Sequence, residues 1–130
     1  MGDRANVVLA EESGSKIWLY SHWDGPQWAI EARDAIKAAE GRWTDEPYCH
    51  RIITTKLIGG AEGQTGYGLT TYPTDNEYNI LIIEAWRDKV RVVSPVRMYD
   101  DGWEPDTVDV WSLEEFCGLP DYEIEEAITR

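Results

Sequence analysis

Four consecutive aliphatic residues, Ile80-Leu81-Ile82-Ile83, constrain this chain more than any other segment. Side chains along a strand alternate between the two faces of a sheet, so an unbroken aliphatic run has to be covered on both. Tyr78-Asn79 precedes the run, Glu84-Ala85-Trp86 ends it, and a second β-rich stretch from Lys89 to Ser94 follows Arg87-Asp88. This pattern predicts a tight hairpin at the centre of a sheet, with helices packed against it.

Two helices are legible upstream. Trp28, Ala32, Ala35, Ile36 and Ala39 form one stripe of helical period between the start signal Asp24-Gly25-Pro26 and the stop at Gly41. Thr44-Asp45-Glu46-Pro47 opens a second, with Tyr48, Ile52, Ile53 and Leu57 on its apolar face and Gly59-Gly60 at its end; the β-branched Ile52-Ile53-Thr54-Thr55 weakens its propensity. Ahead of both, the runs Asn6 to Ala10 and Lys16 to Trp23 flank the turn residues 11–15, which predicts a hairpin. Downstream, Leu69 to Tyr72 and Val108 to Trp111 are short strands. Ser112-Leu113-Glu114-Glu115 is a capping box with Trp111 and Phe116 as its staple, and Asp121 caps a last helix to Thr129. The expected fold is α+β: a single domain over residues 1–130, with a mainly antiparallel sheet packed by two or three helices. The two upstream helices are expected to cover the two faces of the central strand.

Charge is distributed unevenly. The net charge is −13, and of the 25 carboxylates eleven lie between Tyr99 and Thr129, a stretch with no lysine or arginine. Salt-adapted acidity would spread over the whole surface, whereas this is an acidic C-terminal third over residues 99–130. Such a patch repels nucleic acid and attracts basic surfaces. No run approaches a membrane span, and no signal-peptide pattern opens the sequence, so a cytoplasmic location is expected. In that setting Cys49 and Cys117 read as two free, buried thiols.

Motifs for chemistry are sparse. The glycine segment 59–68 has a helix before it and a strand after it, the reverse of a phosphate loop, and Glu62 would repel the anion. It reads as a connection. Cys49 and His50 are sequence neighbours that diverge on a helix, and Asp100, Asp101, Glu104 and Asp106 lack the spacing of a calcium loop, so no metal site is assigned. No catalytic residue and no cofactor is identified either. His22, between Tyr20 and Asp24, could serve as a base, or simply pack among aromatics. Trp103 stands in the acidic loop without an apolar neighbour, and an exposed tryptophan ringed by carboxylates has the character of a binding anchor.

The opening Met1-Gly2-Asp3-Arg4-Ala5-Asn6-Val7, the segment Tyr20-Ser21-His22-Trp23, Arg42-Trp43, Thr65-Gly66-Tyr67-Gly68 and Asp75-Asn76-Glu77-Tyr78 together resemble small uncharacterised proteins of phages, prophages and high-GC genomes. The similarity covers roughly residues 1–93 and leaves the acidic third outside. No activity or catalytic residue comes with it; it implies only an origin in mobile elements.

Two functions are weighed. The first is a non-catalytic accessory protein that binds a basic surface of a host protein, as a nucleic-acid mimic or an anti-defence inhibitor. Its contacts would be Asp100, Asp101, Trp103, Glu104, Asp106 and Asp109. The second is a small-ligand pocket, binding or catalytic, for a nucleotide or phosphorylated metabolite, built from Arg4, Asn6, Tyr20, His22, Trp23 and Tyr67, with Arg51 as a further candidate. Direct nucleic-acid and membrane contacts are not expected, and monomer and homodimer stay equally open.

Overall fold

The structure, a computed structural model, describes residues 2–73, 75–95 and 106–130. Among these, six strands form one sheet: β1 (Ala5–Ala10), β2 (Lys16–Ser21), β3 (Tyr67–Thr70), β4 (Ile80–Glu84), β5 (Lys89–Val93) and β6 (Thr107–Trp111). Four helices accompany them: α1 (Gln27–Ala38), α2 (Glu46–Ile58), α3 (Leu113–Cys117) and α4 (Asp121–Thr129). The fold is α+β, and the strand order is β3-β2-β1-β4-β5-β6. Every neighbouring pair is antiparallel except β1 and β4, which run parallel with Val7 opposite Leu81.

The aliphatic run forms β4 and is buried along its whole length. Its coverage differs from the expectation that one helix would lie on each face. Leu81 and Ile83 join Val7, Leu9, Leu19, Val90 and Val92 in a core that takes in Trp28 and Ile36 of α1, Ile53 of α2, Phe116 of α3 and Ile124 of α4. Ile80 and Ile82 point the other way, into a separate buried cluster with Val8, Ala10, Trp18 and Val93 to which no helix of the described residues contributes. The cause is topological. Both upstream helices lie in the one connection between β2 and β3, which are antiparallel neighbours in the sheet, and that connection stays on one side of it.

Local chemistry explains the ends of the elements. At the β4–β5 hairpin Asp88 adopts a left-handed φ of 55°, a conformation that aspartate tolerates better than most residues. Its carboxylate then accepts the Leu113 amide at 3.0 Å, which ties the hairpin to the start of α3. The capping box forms as read: Glu115 N–H donates to Ser112 Oγ at 3.0 Å, and Ser112 N–H donates to Glu115 Oε1 at 2.8 Å. The staple rings of Trp111 and Phe116 lie 5.4 Å apart. Asp121, expected to cap the last helix, does not do so, and the side chain of Asp24 in the start signal of α1 does not cap that helix either. Asp24 accepts the Ser21 hydroxyl at 2.6 Å, and Asp121 pairs with Arg33 at 2.6 Å.

The glycine segment serves packing. Gly66 accepts the His22 amide through its carbonyl at 2.8 Å, and a Cβ at Gly66 would meet the Trp23 ring at 2.7 Å. Glycine therefore lets the chain pass under the indole on its way into β3. Trp86, which ends the apolar stretch, is 42% exposed beneath the Arg87 guanidinium. The strand stops at Glu84, and a short 3-10 turn carries Trp86 out of the sheet. Both cysteines are free, Cys49 buried and Cys117 only half-buried. Burial pushes the Cys49 thiol up to about 11 and the Cys117 thiol in the same direction, so neither is a ready nucleophile.

Candidate functional site

Helix α4 is amphipathic because its apolar residues recur at helical spacing. Ile124, Ala127 and Ile128 are buried against the core. The opposite face follows from 100° per residue: Tyr122 lies at its centre, with Glu125 and Glu126 one turn ahead and Asp121 and Glu123 at its flanks. Tyr122 is 67% exposed. Asp121 and Glu123 occupy the first turn, where the helix dipole favours carboxylates.

The charges around this face are not equivalent. Asp121 is neutralised by the nearly buried Arg33, which also donates to the Leu119 carbonyl at 2.9 Å. Asp109 on β6 is paired with Arg130 at the end of the chain. Glu115 is spent in the capping box, where the Ser112 amide and hydroxyl hold its carboxyl below the usual range. Glu114, Glu123, Glu125 and Glu126 are exposed and make no ion pair among the described residues. The result is an aromatic ring set within unneutralised carboxylates on a rigid helix.

Of the residues expected at an acidic contact surface, Asp100, Asp101, Trp103 and Glu104 lie outside the described residues. Asp106 is exposed, and its carbonyl accepts the Ser94 amide at 3.0 Å just before β6 begins. Asp109 is half-buried in its ion pair. Tyr122 was not singled out from sequence, although the periodicity of α4 already centres it between Glu125 and Glu126.

The residues read as a ligand pocket fall into two groups. Arg4 reaches Glu77 at 2.9 Å and Asp75 at 3.4 Å, so its positive charge is more than offset locally. Asn6 is buried and donates to the Asp75 carbonyl at 3.0 Å and to the Asn76 side chain. Tyr20 hydroxyl and His22 Nδ1 share a hydrogen bond of 2.7 Å, and the Trp23 ring stands edge-on to His22 at 4.4 Å. Tyr67 lies apart from Tyr20, stacked on Trp28 at 5.5 Å and bonded to Asp24. The depression beside Tyr20 and Asp75 is open and has a volume of about 240 Å³. These polar side chains hold the segment around residues 75–79 against the sheet.

A different histidine carries the one unmet polar group. His50 on α2 is 93% buried, and its Nε2 is the only buried side-chain polar atom without a hydrogen-bond partner among the described residues. Burial pushes the imidazole pKa below 6.5, against the opposing pull of Glu46 and Glu11, so the ring is held neutral. A lowered folded pKa means that the unfolded chain takes up a proton first. The stability that neutral His50 contributes is present above pH 6.5 and is lost as pH falls below it. Thermal midpoints measured between pH 7.5 and pH 5.5 should fall more steeply for the native chain than for His50→Gln, by a few degrees.

No group of three or more His, Cys, Asp or Glu side chains among the described residues is placed to hold a metal ion. No described helix is long and apolar enough to cross a membrane. In comparisons with known proteins, no family model matches the chain, and no curated protein and no solved structure matches it.

Proposed function

We propose that this chain is a non-catalytic binding protein that engages a basic surface of another protein through the exposed face of α4. The observation that carries the reading is Tyr122, two-thirds exposed among the unpaired carboxylates of Glu123, Glu125 and Glu126. Aromatic side chains supply contact energy at the centre of interfaces, while surrounding charges steer the encounter and set its orientation. A helix fixes both, so the carboxylates are presented at spacings that a basic partner can match, as a row of phosphates would be. On this reading the chain is an accessory protein of a mobile element, directed at a host protein.

The pocket reading receives less support. A phosphorylated ligand approaching Arg4 would meet Asp75 and Glu77 already in place.

The test is recovery of basic partners from lysate at low and high salt, with the triple variant Glu123→Gln/Glu125→Gln/Glu126→Gln alongside. Each exposed pair is worth about 0.2–1 kcal/mol, so the triple variant should weaken binding by roughly threefold to 150-fold at low salt and flatten the salt dependence. Tyr122→Ala should cost about 2 kcal/mol at an unchanged salt slope. All four side chains are exposed, so helix content should stay constant in every variant. An affinity indifferent to salt would sink the proposal.

A further inference from the structure

In a chain of net charge −13, the longest stretch without a charged side chain is the twelve residues 63–74. Its centre is the rim of the sheet, because β3 has β2 on one side and no strand on the other among the described residues. Which backbone groups face outward follows from the ladder. The His22 amide donates to the Gly66 carbonyl, so Gly66, Gly68 and Thr70 turn their amides and carbonyls towards β2. Tyr67 and Leu69 alternate with them and turn theirs away, and these groups make no hydrogen bond among the described residues. Leu69 lies opposite Leu19 on the helix-bearing face and is 60% exposed, since the sheet ends there. Edge strands are blunted by charge, proline or a bulge. The other edge has such protection: β6 carries Asp109, follows Asp106 and has a register shift opposite Val92 and Val93. β3 has only its shortness.

We infer that β3 is a dimerisation edge, on which a second copy of this chain pairs antiparallel across a two-fold axis through Gly68. In that register Tyr67 faces Leu69 of the second copy and Leu69 faces its Tyr67, so the outward groups exchange four hydrogen bonds. Gly68 meets its own equivalent between them. That is the position without hydrogen bonds, where the strands approach to about 4.5 Å, and neither copy has a side chain there to clash. The exposed Leu69 then packs across the seam on the Tyr67 ring, an aliphatic–aromatic pair on the helix-bearing face. Charge decides the occupant. Two copies of so acidic a chain repel each other over most of their surface, and a basic partner finds no carboxylate on this strand to pair with. A neutral edge that complements itself suits a second copy, in the isologous contact that two-fold symmetry requires. The seam is small, so association is weak, at roughly tens of micromolar.

Salt separates this contact from the acidic face on α4, so either can fail without the other. Screening weakens attraction to a basic partner, but it relieves the repulsion between two acidic copies. Sedimentation of the intact protein from about 10 to about 300 µM should show a dimer that fills with concentration. The dimer should tighten severalfold between about 0.05 and about 0.5 M salt. Hydrogen exchange should slow at the Tyr67 and Leu69 amides as the dimer fills, with Gly68 and Thr70, already bonded to β2, changing less. Leu69→Glu, at an exposed position on the rim, should weaken the dimer about tenfold or more and leave the monomer folded. Val110→Glu, at the 50% exposed position on the β6 edge, should leave the dimer unchanged. A protein that stays monomeric at the highest concentration and salt overturns the inference. So does a dimer that Leu69→Glu leaves intact, or one that Val110→Glu weakens as much.

Discussion

Trp28→Ala is expected to remove about 5 kcal/mol of stability, near half of what a domain of this size has to lose. The indole is 1% exposed, the first large residue of the α1 stripe. Its ring stacks on Tyr67 at 5.5 Å, and its Nε1 donates to the Leu19 carbonyl at 2.9 Å. Truncation therefore empties the contact between α1 and the β2–β3 edge and removes the bond that fixes the helix over the sheet. Large-to-small changes at such sites cost about 3–5 kcal/mol for the cavity, with about 1 kcal/mol more for the hydrogen bond. The thermal midpoint should drop by roughly 15–20 °C. Trp28→Phe separates the two contributions, because it keeps much of the ring and loses only the donor. A drop for Trp28→Phe as large as that for alanine would show that the hydrogen bond, and not packing, holds α1.

The second large effect is electrostatic. Glu84 ends β4 almost fully buried and accepts both Arg91 at 2.6 Å and Arg87 at 2.8 Å. Burial pushes its carboxyl up, but the hydrogen bonds and charges of the two guanidiniums outweigh that and leave it below its usual value of 4.5. Removing the carboxylate in Glu84→Ala strands Arg91, whose side chain is only 18% exposed. The expected cost is about 3 kcal/mol, at the low end for a broken buried pair because Arg87 can turn to solvent. The pH dependence has a definite sign. A depressed folded pKa contributes stability that is present above pH 4.5 and is lost as pH falls through the folded value. Urea midpoints measured from pH 6 down to pH 3 should fall for the native chain and be flatter for Glu84→Gln. Equal slopes would mean that the arginines do not stabilise the ionised form.

Much of this fold was legible in the sequence because its elements are locally determined. The stripe from Trp28 to Ala39, the turn residues 11–15 and the capping box at Ser112 each carry their signal within a dozen residues, and all three form. The second helix forms despite Ile52-Ile53-Thr54-Thr55, since burial of Cys49 and Ile53 in the core outweighs a small difference in propensity. Illegible were the features set by contacts across the chain. Nothing near Val7 announces that it will lie parallel to Leu81, and nothing local announces that all four helices will join the core on one face. Arg4 and Asn6 looked like ligand groups because their partners, Asp75 to Glu77, lie about seventy residues away. The face of α4 was within reach of the sequence, but the charge of the whole C-terminal third drew the reading towards Trp103 and away from the helical position of Tyr122.

The parallel seam between β1 and β4 also has a kinetic consequence. Closing it requires some seventy intervening residues to be gathered first, a long-range pairing of the kind that slows folding. The seam is also tied to α4. Asn79, just ahead of β4, donates its backbone amide to the Ile128 carbonyl at 3.0 Å and its side-chain amide to the Ala127 carbonyl at 3.0 Å. These bonds tie the entry of the central strand to the C-terminal turn of α4, so strand and helix hold each other in place. The face that carries Tyr122 is thereby coupled to the middle of the sheet, and anything that loosens the seam should also unsettle the presentation of that ring.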